Sequence, residues 1–158
     1  MSKQCRHSSP IGADLLRDLN ARSQYGALCY RTKAGKVEIL LITSRDTGRW
    51  VVPKGWPVKG QTPAGSATVE AFEEAGVQGK TLPVCAGLYT YDKGVPGGEA
   101  LPCVVALYPV KVKKLRRRYP ESGQRTRKWV SRKRAAEMVN EPELAEILRN
   151  FDPAAIGR

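Results

Sequence analysis

The sequence predicts an α/β fold in which helices cover both faces of a mixed β-sheet, and three observations support this. Short runs rich in Leu, Ile and Val lie before and after one helix-like segment at 62–76. That segment carries start and stop residues at its ends, and two more helix-like segments close the chain. Strands on both sides of a central helix, followed by closing helices, give an α/β/α sandwich. At 158 residues the chain is one domain, large enough to bury its own core. With 41% apolar and 27% charged residues its composition is that of an ordinary globular protein.

Residues 1–21 read as a polar N-terminal tail, with a short helix or lead-in beginning near Leu15 and running to Ser23. Tyr25–Arg31 and Lys36–Ser44 are apolar, β-rich runs separated by a turn at Lys33-Ala34-Gly35. A polar loop over 45–49 leads to the short strand Trp50-Val51-Val52, which Pro53 ends. Glycine and proline make 54–61 a loop. Thr62 then offers a hydroxyl cap, and Pro63 fits the first helical position, where its missing N–H costs nothing. The helix runs to Ala75 and stops at Gly76, suited to a left-handed cap. Gly65 weakens it by about 1 kcal/mol relative to Ala. Leu82–Tyr91 and Leu101–Val112 read as long strands joined by a Gly/Pro-rich loop over 92–100. Lys128–Val130 is a further strand, and Arg132–Val139 and Glu143–Phe151 are amphipathic helices. The domain is placed at 22–152, with 153–158 a C-terminal tail.

No apolar run reaches 18 residues, so no segment reads as membrane-spanning. The N-terminus lacks a signal-type apolar segment, and a cytoplasmic location is expected. Cys29, Cys85 and Cys103 sit in apolar runs, where Cys behaves as a small buried hydrophobe rather than as a disulfide or nucleophile. His7 is the only histidine and lies in the tail, which excludes a His-based triad or zinc site. Charge is concentrated: Lys111–Arg134 holds 12 Lys/Arg against one acid, Glu121. Such a run is either a solvated face, a nucleic-acid patch or a rim that steers polyanionic substrates.

Chemistry is concentrated at Glu70, Glu73 and Glu74. Residues three and four apart share a helix face, so these carboxylates project together. Each like-charge pair costs an isolated helix about 0.2–0.5 kcal/mol. A hard cation removes that cost, because Mg²⁺ takes oxygen ligands and commonly joins one or two carboxylates to substrate phosphates.

Together with Gly55 the cluster resembles the signature of the Nudix hydrolases: Gly, five residues, Glu, seven residues, then Arg-Glu-apolar-any-Glu-Glu-any-Gly-apolar. Gly55, Glu70, Ala71, Glu73, Glu74, Gly76 and Val77 fit in register, while Gln61 and Val69 stand where Glu and Arg are expected. Ser44-Arg45, Arg49-Trp50 and Arg125-Thr126-Arg127-Lys128-Trp129 further resemble the diphosphoinositol polyphosphate phosphohydrolase branch. Lys54 before Gly55 leans toward the diadenosine polyphosphate group.

The resemblance implies a Nudix-type α/β/α sandwich and Mg²⁺- or Mn²⁺-dependent cleavage of a diphosphate linkage in a highly phosphorylated small molecule. It implies Glu70 and Glu74 as main metal ligands, Glu73 as a further ligand or water-orienting group, and the Lys54 carbonyl as a backbone ligand. Glu99 is the base candidate by sequence order, with a plain loop acid as the alternative. Arg22, Ser44, Arg45, Lys54, Arg125 and Arg127 are substrate-binding candidates, since guanidinium groups grip phosphate through paired hydrogen bonds. Loss of the Arg at 69 and the Glu at 61 implies metal affinity or rate reduced by about a few tens of fold. The competing reading is a catalytically weak or silent Nudix-fold module that binds RNA or another polyanion through the basic segment.

Overall fold

A computed structural model describes residues 22–94 and 97–156. The expected N-terminal tail therefore lies outside the described residues, and Arg22 and Ser23, read as the end of a short helix or a lead-in, begin a strand. The strands are β1 (Arg22–Lys33), β2 (Lys36–Thr43), β3 (Trp50–Val51), β4 (Lys54–Gly55), β5 (Val77–Thr81), β6 (Gly87–Lys93), β7 (Leu101–Leu115) and β8 (Arg127–Ser131). The helices are α1 (Pro63–Ala75), α2 (Arg132–Met138), α3 (Pro142–Asn150) and the single turn α4 (Pro153–Ile156), whose Ile156 rests against the core.

One mixed sheet organises the molecule. β1 runs parallel to β7, and every other pairing is antiparallel. The β1–β2 hairpin closes on Ala34 and Gly35, both with positive φ (52° and 77°), the primed turn that matches strand twist. Beyond the hairpin β1 and β2 part company. β3 pairs with β2 there, and β4 pairs with β1 through Gly26–Lys54 and Tyr25–Gly55. The 54–61 stretch is thus not all loop as expected: Lys54 and Gly55 join the sheet, because pairing to β1 overrides their weak strand preference.

The apolar run 82–91 is likewise not one strand. β5 and β6 lie end to end along the edge of β7 opposite β1, and residues 82–86 step between them through Leu82 N–H to Pro109 O (2.9 Å) and Ala86 N–H to Leu107 O (2.7 Å).

The central strands are buried on both faces, and alternate residues feed two cores. Leu28, Tyr30, Ile39 and Leu41 join Ala135, Val139, Leu144 and Leu148 of α2, α3 and their connection. Ala27, Cys29, Leu40 and Ile42 join Ala67, Ala71 and Ala75 of α1 on the other face. This is the α/β/α sandwich expected. Cys29 and Cys103 are buried free thiols, as expected. Cys85 is buried too, but it is disulfide-bonded, against the expectation. Among the described residues no helix is long and apolar enough to cross a membrane.

Candidate active site

α1 begins and ends where its local chemistry dictates. Thr62 Oγ1 accepts the Gly65 N–H (3.0 Å), Pro63 follows, and Gly76 closes the helix at φ 66°. The stripe Ala67, Ala71 and Ala75 has no bulk, so the helix lies close on the sheet and its adjoining Glu70–Glu74 row meets β4. The loop between β4 and α1 is tied down by Val58 N–H donating to Ser66 Oγ (2.9 Å).

Gly55 forms the floor. A Cβ at this position would stand 2.4 Å from Cδ of Glu70, so only glycine admits that carboxylate. The Glu70 carboxyl lies beside that of Glu74, and the two repel each other when both are charged. Glu74, 9% exposed, accepts the Lys54 N–H (3.2 Å) and faces the Arg125 guanidinium (3.6 Å). Burial first, then the charges of Glu74 and Glu73, push the Glu70 carboxyl up to about 7. Burial also raises Glu74, opposed by Arg125 and Lys54. The Lys54 ammonium lies 4.9 Å from the Tyr91 ring centroid, and burial lowers its pKa while Glu74 works against that. Tyr91 donates its hydroxyl to Gln24 (2.6 Å).

The structure thus brings together Glu70, Glu74 and Lys54, with Glu73 half-buried on the same helix. The remaining predicted residues are placed differently. Arg125, with a side chain 8% exposed, points inward to Glu121 (2.8 Å), the Thr43 carbonyl (3.1 Å) and Glu74. Arg127 donates to the carbonyls of Ala75 (3.0 Å) and Arg116 (2.9 Å) and stacks on Tyr119, which ties the β7–β8 connection over the end of α1. Arg45 is exposed, beside Gln124 (3.2 Å) and Glu121 (3.7 Å). Ser44 Oγ bonds Thr47 Oγ1 (2.8 Å) and organises its own loop. Arg22 is exposed at the start of β1, and Glu99 is exposed in the β6–β7 loop, with no hydrogen bond or ion pair to the three glutamates. Gln61 lays its amide oxygen against Gly65 in the first turn of α1.

Two participants went unread in the sequence. Tyr91 gave no signal, being one of two tyrosines in an apolar run. Glu121 gave one: it is the sole acid among 12 cations over 111–134.

Among the described residues no three carboxylate, thiol or imidazole groups already converge as a metal cage. The Glu70–Glu74 pair nonetheless fits a hard cation. Its donors are carboxylate oxygens, it lies beside a backbone strand, and the charges of Glu74 and Glu73 raise the Glu70 carboxyl, a penalty that a cation would remove. Mg²⁺ needs no more than one or two such carboxylates, with water and phosphate completing its shell.

A helix carrying paired, repelling carboxylates over a glycine floor, set on a mixed sheet between two helical layers, defines an α/β/α sandwich with a site suited to a hard cation. Residues 22–151 match the NUDIX domain, and the chain belongs to that family of enzymes, the Nudix hydrolases. It is 32% identical over 121 residues to Nudix hydrolase 16, mitochondrial, of Arabidopsis thaliana, covering 74% of this chain and 67% of that one. It is 39% identical over 59 residues to diphosphoinositol polyphosphate phosphohydrolase 3-beta of Bos taurus. That match covers 37% of this chain and only 36% of the relative's length. In fold it is similar to the crystal structure of a C. elegans Ap4A hydrolase binary complex, with a TM-score of 0.64 and 24% identity over 87% of this chain and all of that one.

Proposed function

We propose that this chain is a Mg²⁺- or Mn²⁺-dependent hydrolase that cleaves a diphosphate linkage in a highly phosphorylated small molecule, a diphosphoinositol polyphosphate or a dinucleoside polyphosphate. The Glu70–Glu74 pair seated on Gly55 carries this reading. Two carboxylates forced together in a half-buried niche, without a cation on their own helix, are a site for a ligand that is positive. Glu70, Glu74, Glu73 and the Lys54 carbonyl would hold the metal. Once bound, the cation supplies charge neutralisation on the phosphate oxygens and an activated water.

The chain's own residues do the rest. Lys54, held beside Tyr91, presents a partly desolvated cation to a phosphate. Exposed Arg45, Arg22 and the adjoining Ser44 are the candidates for outer phosphates. Arg125 and Arg127, also candidates from sequence, are engaged inside the protein and are proposed to shape the site. Trp56, 42% exposed and next to Gly55, offers a ring to a nucleobase. Glu99, in the β6–β7 loop, is proposed as the base, on its chain position alone.

A second reading has its own support. Lys80 and Lys111 are direct cross-strand partners, a like-charge pairing that destabilises a sheet. Neither forms an ion pair with another described residue, and nor do Lys113, Lys114, Arg116, Arg117 or Arg118. A nucleic-acid backbone would offset that charge.

The test is phosphate release from diphosphoinositol and diadenosine polyphosphates with Mg²⁺ or Mn²⁺. Glu70→Gln and Glu74→Gln should each remove most turnover and Mn²⁺ binding from a folded protein. Turnover that survives both changes sinks the proposal. No turnover on any diphosphate, together with RNA affinity that falls steeply with salt, favours the second reading.

A further inference from the structure

We infer that Arg125 is the positioning residue of Glu74. Reaching in from the segment before β8, it holds that carboxylate against the Lys54 amide and supplies the guanidinium that α1 lacks at Val69. The inference rests on the metal-hydrolase reading above.

α1 carries three acids and no basic residue: its sequence is PAGSATVEAFEEA. Val69 precedes the acids as a half-buried apolar residue. The cation that reaches the acidic face comes instead from far along the chain. Three nitrogens of Arg125 each have their own partner. Nε donates to Glu121 Oε1 (2.8 Å), Nη1 to the Thr43 carbonyl (3.1 Å), and Nη2 faces Glu74 Oε2 (3.6 Å). The first two contacts are short and fix the plane of the group, and the third is an ion pair set by that plane.

Glu121 is itself anchored, because its N–H donates to the Glu73 carbonyl (3.0 Å). Thr43 is anchored too: its N–H donates to the Thr126 carbonyl (3.0 Å), and its Oγ1 accepts the Thr126 N–H (2.8 Å). A closed circuit therefore runs from α1 through Glu121 and Arg125 back to Glu74. Glu74 is gripped from two sides, by the Lys54 N–H on one oxygen and Arg125 on the other. The planar fork of arginine suits this, since a lysine offers a point charge without fixed directions. With its fork committed and only 8% exposed, Arg125 has no face left for a bidentate phosphate contact.

The test compares the full chain with Arg125→Met and Glu121→Gln, measuring Mn²⁺ affinity by titration, kcat and KM on a diadenosine polyphosphate, and the melting temperature. Arg125→Met should weaken Mn²⁺ binding about 10–100-fold, as loss of a group that orients a metal ligand does, and lower kcat with little change in KM. Val69→Arg added to Arg125→Met should recover part of that affinity, and no recovery would show that the two positions do not serve one role. A lower melting temperature with unchanged Mn²⁺ affinity would make Arg125 merely structural and overturn the inference. So would a raised KM with metal binding intact, which is the signature of a phosphate grip. If Arg125→Met does not fold, Glu121→Gln carries the test, because it releases the guanidinium without burying a lone charge. It too should weaken Mn²⁺ binding, and parental affinity there overturns the inference. A parent chain that binds no Mn²⁺ brings down the hydrolase reading and this inference together, whereas parental binding with unaffected variants brings down this inference alone.

Discussion

Replacing Gly55 by Ala places a methyl carbon 2.4 Å from Cδ of Glu70 and 2.5 and 2.7 Å from its two oxygens. Ordinary contact begins at 3.4 Å, so the carboxylate has to retreat by about 1 Å (3.4 − 2.4). Retreat is cheap for the fold, because the displaced atoms are the free end of a flexible side chain. Alanine also suits a strand better than glycine by about 0.5–1 kcal/mol. Retreat is expensive for catalysis, where a 1 Å misplacement can cost roughly 100-fold, equivalent to about 2.7 kcal/mol of barrier. Gly55→Ala should therefore leave the urea midpoint within error of the parent or above it. It should lower kcat/KM by about two orders of magnitude, measured at saturating Mg²⁺ on whichever diphosphate the parent turns over. A variant within threefold of parental kcat/KM would show that the Glu70 carboxylate does not work from this seat, and the proposed site would have to move.

Other outcomes follow from the same contacts. Arg127→Ala removes two carbonyl bonds and the Tyr119 stack, and should lower stability by about 1–3 kcal/mol while leaving KM unchanged; a raised KM in a stable protein would restore it as a substrate ligand. Gly76→Ala forces a side chain into φ 66° and brings its Cβ to 2.5 Å from Tyr119, so it should cost about 1–2 kcal/mol and roughly 2–8 °C in Tm, and an unchanged melting curve would contradict the cap. In the metal-free protein Glu70 keeps its proton to about pH 7, against an ordinary 4.5. Since the folded state then binds the extra proton, this contribution is whole below the lower value and disappears as pH rises through the upper one. Urea midpoints at pH 5 and pH 8 should therefore diverge more for the parent than for Glu70→Gln, and Mg²⁺ should narrow the gap; equal divergence would refute the assignment.

What could be read before folding was whatever local chemistry decides. The bounds of α1 follow from Thr62, Pro63 and Gly76, residues whose preferences act within one turn, and all three take the expected roles. Partners distant in sequence decide the rest. Lys54-Gly55 looks like loop until β1 lends it hydrogen bonds, and the 82–91 run looks continuous until its first half becomes a step along β7 and only its second half joins β6. Arg125 shows the same limit at the site. A sequence reveals a cation near a family motif, but its direction depends on Glu121 and on a carbonyl at the end of β2.

The two-sided burial of β1 has a consequence for the population of molecules. β1 carries alternate residues into opposite cores, and it also bears β4 at Tyr25 and Gly26. A slip of one residue against β7 would turn Ala27, Leu28, Cys29 and Tyr30 each to the wrong face. The same slip would carry Gly55 out from beneath Glu70. A chain slipped by one residue cannot then keep its cores while losing only its site, so loss of activity through that misregister is accompanied by loss of the fold. A one-residue slip therefore exposes apolar surface, which a cell's surveillance senses, in the same molecules that lose Gly55 from under Glu70.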